Sequence, residues 1–282
     1  MSCETVGMSP QDPRSLCFTK HHGAGNDFLV LVDPDDRVRL DAAEVRALCD
    51  RRRGIGADGV IRVGRGSNGA DLSMDLRNAD GGTAEMSGNG IRCLAQAAVD
   101  AGLVAPPAFT VETAAGVRTV EYRPGPGPGE AWASVDMGSA RLGPEETSEL
   151  WDGPLRRVDV GNPHLVALGS DPAEVDVASL GPRFEGSVPG GVNVEFIAVG
   201  GRRDELVLRV WERGVGETLA CGTGSVAAAA AAADWGLVDA TVQVHNPGGT
   251  LEVVLGTPSG PVRLAGPVHK VGDVTLDRAS LA

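Results

Sequence analysis

Two short segments have the makings of anion-binding helix starts. Ser87-Gly88-Asn89-Gly90 and Cys221-Gly222-Thr223-Gly224 each set a small polar residue ahead of spaced glycines and an alanine-rich run. The first turn of a helix carries unpaired N–H groups and the positive end of its dipole. Glycine lets a ligand come close to that backbone. Such a head suits a carboxylate or a phosphate. In the second segment the leading residue is a thiol. A cysteine at a helix head is expected to have a lowered pKa and to act as a reactive acid/base. A packing cysteine is expected mid-helix on the core face. Cys93 lies six residues beyond Ser87, about 9 Å along a helix, so it cannot take the place of Ser87. Cys93 and Cys49 read as small buried residues, while Cys3 and Cys17 carry no signal.

Other residues are open on local sequence. His164 follows Gly161-Asn162-Pro163 and reads either as structural or as the partner of a nucleophile. Glu212-Arg213 ends a strand and reads either as a surface ion pair or as part of a site. His21, His22, His245 and His269 lack ligand spacing, so no metal is expected. Gly222, Gly224 and Ala227 also fit a dinucleotide fingerprint. That reading is discounted. The turn Gly214–Ala220 separates it from the preceding strand, and no acid stands after His245-Asn246 to hold a ribose.

The two helix heads belong to a repeat. The segment from Glu85 to Val104 aligns without a gap with Leu219 to Val238, 134 residues later. Ser87 meets Cys221, Asp100 meets Asp234, and Gly102-Leu103-Val104 meets Gly236-Leu237-Val238. Upstream, Gly25–Val30 resembles Gly161–Val166, Gly56–Ile61 more weakly resembles Gly191–Phe196, and Asp71–Arg77 matches Glu205–Trp211. The chain reads as two copies of a unit of roughly 130 residues. Each copy has alternating strands such as Leu206–Trp211, then a glycine turn and one helix. The helices are expected over Asn89–Ala101 and Thr223–Trp235, stopped by Gly102 and Gly236. Pro124–Gly129 must be a loop. The fold class is α+β: two pseudo-symmetric lobes, each a mostly antiparallel sheet around a central helix. The N-terminal lobe is expected over 16–131, completed by a C-terminal strand at 267–282, and the C-terminal lobe over 132–266. Residues before Ser15 read as a loose leader.

Composition narrows the partners. The formal charge is −13 and the only lysines are Lys20 and Lys270, so there is no basic stripe for nucleic acid. The longest apolar run, Val226–Ala233, is too short for a bilayer. The start of the chain lacks the pattern of a signal peptide. Five scattered cysteines without C-x-x-C predict neither a disulfide frame nor a zinc site. A cytoplasmic protein with reduced thiols is expected.

Taken together, these motifs closely resemble the diaminopimelate epimerase family, over about Phe18 to Leu276. They are H-G-A-G-N-D-F (22–28), G-I-G-A-D-G (54–59), N-A-D-G (78–81), S-G-N-G-I-R (87–92), G-N-P-H (161–164), V-N-V (192–194) and E-R-G-V-G-E-T-L-A-C-G-T-G (212–224). The resemblance implies epimerisation at the α-carbon of LL- and meso-diaminopimelate, in lysine and peptidoglycan precursor synthesis. It implies no pyridoxal phosphate or other cofactor, a small amino-acid substrate and often a homodimer. One thiol removes the α-hydrogen and a second, on the other face, returns one. By the same resemblance, Cys221 is a thiol acid/base supported by Glu212. His164 supports the opposing position, which here is Ser87 where the family has cysteine. Asn26, Asn78, Asn162, Asn193, Glu212 and Arg213 contact the substrate, and the helix heads Gly88-Asn89 and Gly222-Thr223 hold its α-carboxylate. An alcohol is a far weaker acid than a thiol, so Ser87 sets aside a symmetrical two-thiol reaction. Two further readings fit the same fold: a one-base lyase or dehydratase of a β-hydroxy amino acid, and an amino-acid-binding protein without turnover.

Overall fold

The computed structural model describes residues 15–84, 86–256 and 260–281. The expected leader, with Cys3, lies outside the described residues. The chain divides into two compact units. The first holds the described residues of Met1–Gly23, Asp27–Ala133 and Pro267–Ala282; the second holds Ala24–Asn26 and Ser134–Gly266. The fold is α+β, two lobes of one design, each a largely antiparallel sheet around a central helix.

The first lobe runs β1 (Ser15–Gly23), β2 (Asn26–Val32), α1 (Ala42–Cys49), β3 (Gly59–Arg65), β4 (Leu72–Asn78), β5 (Thr83–Ala84), α2 (Gly88–Asp100), β6 (Ala108–Thr113), β7 (Gly116–Pro124) and β8 (Glu130–Asp136). The second runs β9 (Arg141–Ser148), β10 (Trp151–Asp159), β11 (Pro163–Leu168), α3 (Val177–Ser187), β12 (Asn193–Val199), β13 (Glu205–Glu212), β14 (Gly216–Thr218), α4 (Gly222–Asp234), β15 (Thr241–Asn246) and β16 (Gly249–Val254). The long β17 (Arg263–Asp277) pairs with β16 at its start and with β1 beyond.

Both lobes interrupt their antiparallel pairing at matching places. β2 lies parallel to β3 and β4 to β6; β11 lies parallel to β12 and β13 to β15. Parallel neighbours cannot be joined by a tight turn and need a crossover. α1 and α3 make the first crossover of each lobe, α2 and α4 the second. The sequence predicts only the second kind. α1 is eight residues long and α3 carries Pro182 within its eleven, so neither leaves a long helical period.

Strand register corrects one detail of the repeat. Phe28 stands opposite Gly59, and His164 opposite Asn193. Gly59 therefore corresponds to Asn193, and Ile61 to Glu195 rather than to Phe196. A one-residue slip moves a side chain to the other face of a strand, so the shift decides what lies beneath each central helix.

The central helices begin at Gly88 and Gly222, one residue before the expected starts. Beyond their ends, Gly102 and Gly236 take φ of 69° and 71°, the left-handed turn that L side chains avoid. α4 is enclosed on every side, and Val226 to Ala232 are all buried. A helix wrapped all round must be apolar all round, and alanine keeps it narrow enough for the strands to close on it. Separate apolar clusters pack α1 against Leu16, Phe18 and Leu29, and α3 against Leu155, Leu165 and Phe196.

Two cysteine expectations fare differently. Cys49 and Cys93 are buried free thiols, and burial pushes each up to about 12. Cys17 is disulfide-bonded, contrary to the expectation of reduced thiols throughout. Sequence spacing is a poor guide here because a disulfide needs only neighbours in space. No helix among the described residues is long and apolar enough to cross a membrane.

His21 gives a stability prediction. It is fully buried on β1, with Nδ1 2.9 Å from Gln96 Oε1 and Nε2 2.8 Å from Thr19 Oγ1. Burial lowers its pKa from 6.5 to about 4. Folding therefore favours the neutral ring. Its contribution is complete above pH 6.5 and is lost as pH falls toward 4, roughly 3 kcal/mol in all. The urea midpoint is expected to drop across that window, and His21→Gln is expected to flatten the drop. Equal slopes in both proteins would contradict this.

Candidate active site

In the second lobe the thiol is built into the start of α4. Cys221 is the N-cap, with extended backbone at φ −121° and ψ 120°. Its Sγ accepts the Gly224 N–H at 3.4 Å and lies 3.4 Å from Thr223 Oγ1. Neither α2 nor α4 has an acid in its first turn. α1, by contrast, closes its head with an Asp41–Glu44 capping box. The two glycine-led heads therefore set no first-turn acid of their own against their positive dipole ends, which suits an external anion.

Glu212 ends β13, accepts a hydrogen bond from Thr218 Oγ1 and has the Cys221 thiol beside it. Burial raises the Glu212 carboxyl above its usual range, despite that donor. Burial also pushes the Cys221 thiol well up, and Glu212 and Glu195 push it the same way. This corrects the expectation of a lowered thiol pKa. The Gly224 N–H and the Thr223 hydroxyl do pull it down, but desolvation outweighs them. One negative charge shared between sulfur and carboxylate can move from one to the other without burying a further charge. A carboxyl and a thiol side by side in a dry setting can exchange a proton.

Of the other second-lobe candidates, Asn162 and His164 connect to this head through Thr223. His164 is fully buried, with Nδ1 2.7 Å from Glu195 Oε1 and Nε2 2.9 Å from Asn162 Oδ1. Asn162 Nδ2 reaches Thr223 Oγ1 at 3.4 Å. Asn193 donates to the Pro163 carbonyl and accepts the Arg213 N–H, both at 3.0 Å, which ties the β11 and β13 ends together. Arg213 itself is exposed, with Nη1 on the Gly190 carbonyl at 3.2 Å. A cavity of about 440 Å³ opens beside Asn162 and His164, bordered by Arg141, Arg157 and Asp159.

The first lobe repeats the helix head with other chemistry. Ser87 is the N-cap of α2, and its Oγ accepts the Gly90 N–H at 3.0 Å, so its own proton is free to donate. Asn89 is buried, with Oδ1 held by Arg92 Nη2 at 2.8 Å. Asn78 ends β4 with an exposed side chain. Asn26 opens β2, in the short stretch grouped with the second lobe.

Two residues escape sequence reasoning. Arg92 is fully buried and also donates to the Gly88 carbonyl at 2.9 Å, and burial lowers its pKa to about 10. It places a cation under the α2 head. Glu195 is fully buried beneath α4. Arg92 sits in the S-G-N-G-I-R motif and Glu195 follows V-N-V. A charged residue inside an apolar strand such as Asn193–Val199 is the signal that could have found the second.

Comparison with known proteins places the chain in a family. The family model for diaminopimelate epimerase matches residues 18–143 and 156–271. A diaminopimelate epimerase from Thermobifida fusca is 45% identical over 92% of this chain and 98% of its own. One from Leptospira biflexa is 36% identical over 92% of this chain and 99% of its own. Among solved structures, a hydroxyproline epimerase from Agrobacterium vitis superposes with a TM-score of 0.70. It is 17% identical, covers 93% of this chain and 91% of that one, and so speaks for the fold alone.

Proposed function

The chain belongs to the diaminopimelate epimerase family, and from that membership we propose that it is a cofactor-independent epimerase acting at the α-carbon of LL- and meso-diaminopimelate, in lysine and peptidoglycan precursor synthesis. The observation that carries the reading is the buried Cys221 thiol, set at a helix head with the Glu212 carboxyl beside it. An α-hydrogen is a weak acid, and removing it leaves charge spread onto the carboxylate. A carboxylate held at a helix N-terminus has N–H donors aimed at that developing charge. Cys221, deprotonated by Glu212, takes the hydrogen. Asn162, Asn193 and Arg213 recognise the rest of the substrate, Arg213 suiting a distal carboxylate.

In this reading Ser87 is the residue that returns a proton, as a hydroxyl donor or through water. A serine there also favours a second reading, a lyase with Cys221 as its single base. A cytoplasmic location fits the need for a reduced Cys221, although the Cys17 disulfide stands against a uniformly reduced chain.

Proton NMR of LL-diaminopimelate with the protein in D₂O tests the proposal, with stereoisomers resolved in parallel. Deuterium at the α-carbon together with meso product is the expected result. Deuterium without inversion would favour the one-base reading. If no exchange occurs while the ligand still raises the melting temperature, the epimerase reading fails and a binding protein takes its place.

A further inference from the structure

Five side chains of the second lobe form one continuous hydrogen-bonded chain. It runs from Glu195 to His164 at 2.7 Å, to Asn162 at 2.9 Å, to Thr223 at 3.4 Å and to the Cys221 sulfur at 3.4 Å. We infer that Glu195 is a positioning residue for Cys221, fixing the direction of this chain so that it ends in a hydroxyl donated to the thiol sulfur. The inference rests on the role given to Cys221 above.

The direction follows from which groups can donate. An ionised carboxylate only accepts, so Glu195 requires the proton on His164 Nδ1. Asn162 turns its Oδ1 to His164 Nε2 and its Nδ2 to Thr223. With that orientation, which our inference takes as given, the ring donates on both sides, to Glu195 through Nδ1 and to Asn162 through Nε2. Thr223 accepts from Asn162, which leaves its own O–H for Cys221. Every donor then points toward the sulfur, the arrangement that suits a thiolate. With a neutral ring the Asn162 amide turns over, and Thr223 donates away from the sulfur.

Three observations support a dedicated device. Glu195 Oε2 is buried without a hydrogen-bond partner, a costly arrangement for a group that merely fills space. A Cβ added to Gly224 would lie 2.7 Å from Glu195 Oε1 and 3.3 Å from Cys221 Sγ, so one glycine brings carboxylate and thiol close together. In the first lobe, Ile61 stands where Glu195 does and Phe28 where His164 does. The chain is therefore confined to the half that carries the thiol. The other charged groups facing it are Glu212, beside Cys221, and Asp159, near His164.

The test is Glu195→Gln, which keeps size and shape. In labelled wild-type protein, ¹⁵N shifts should show His164 protonated on both nitrogens at neutral pH; in Glu195→Gln the ring should be neutral. Alkylation of Cys221 by iodoacetamide, followed on its own peptide, should slow about tenfold at fixed pH, its midpoint moving upward. Thr223→Val should reproduce the thiol change while leaving the His164 spectrum as in wild type. Turnover in Glu195→Gln should show a lower kcat at nearly constant KM. If folded Glu195→Gln keeps both the spectrum and the alkylation profile, the inference is overturned. If that variant does not fold, an unchanged profile in Thr223→Val overturns it equally. Spectrum and alkylation need no substrate, so their failure is separate from failure of the epimerase reading.

Discussion

Replacing Cys221 by alanine is expected to cut α-deuterium exchange into LL-diaminopimelate by at least about 10³-fold. The loss should be chemical rather than structural. As an N-cap, Cys221 offers the Gly224 N–H only a long 3.4 Å contact, so alanine should cost no more than about 1 kcal/mol of helix stability. No other free thiol among the described residues can substitute. Cys49 and Cys93 are buried and held near 12, and neither begins a helix. Glu212 remains in the variant, but without a thiol beside it. Exchange is followed by NMR beside a melting curve. Undiminished exchange in a folded Cys221→Ala protein would remove the thiol from the mechanism, and with it both the epimerase and the one-base lyase readings.

Ser87→Cys is expected to act in the opposite direction, raising the rate of meso-diaminopimelate formation by about 10² to 10⁴-fold. The alcohol holds its proton far more tightly than a thiol near 8.5, so a thiol at this position can both donate to and accept from carbon at neutral pH. The helix head should tolerate the change. Ser87 and Cys221 cap their helices through corresponding glycines, at 3.0 Å for oxygen and 3.4 Å for sulfur. Stereoisomer chromatography reads the outcome, and the rate in the LL-to-meso direction is the quantity to compare. No gain in the variant, with exchange from Cys221 intact, would mean that position 87 does not face the reacting carbon.

What the amino-acid order determined by itself is the duplicated helix head and the residues that begin it. Ser87 and Cys221 align in the repeat because glycine spacing, the alanine run and the stop at Gly102 or Gly236 are local signals, each tied to backbone geometry over a few residues. The strand–turn–helix order is legible for the same reason, as is the burial of Cys49 and Cys93. Tertiary structure decided everything that depends on neighbours distant in the chain. The crossover helices α1 and α3 form because β2 and β11 need parallel partners, and their own sequences are too short to announce it. The Cys221 thiol is raised rather than lowered because strands bring Glu195 and Glu212 beside it in a dry setting. A helix head acts over one turn, whereas desolvation is set by the whole enclosing sheet. Strand register decided where Glu195 points, since a shift of one residue separates a carboxylate beneath the thiol from an apolar ring on the opposite face.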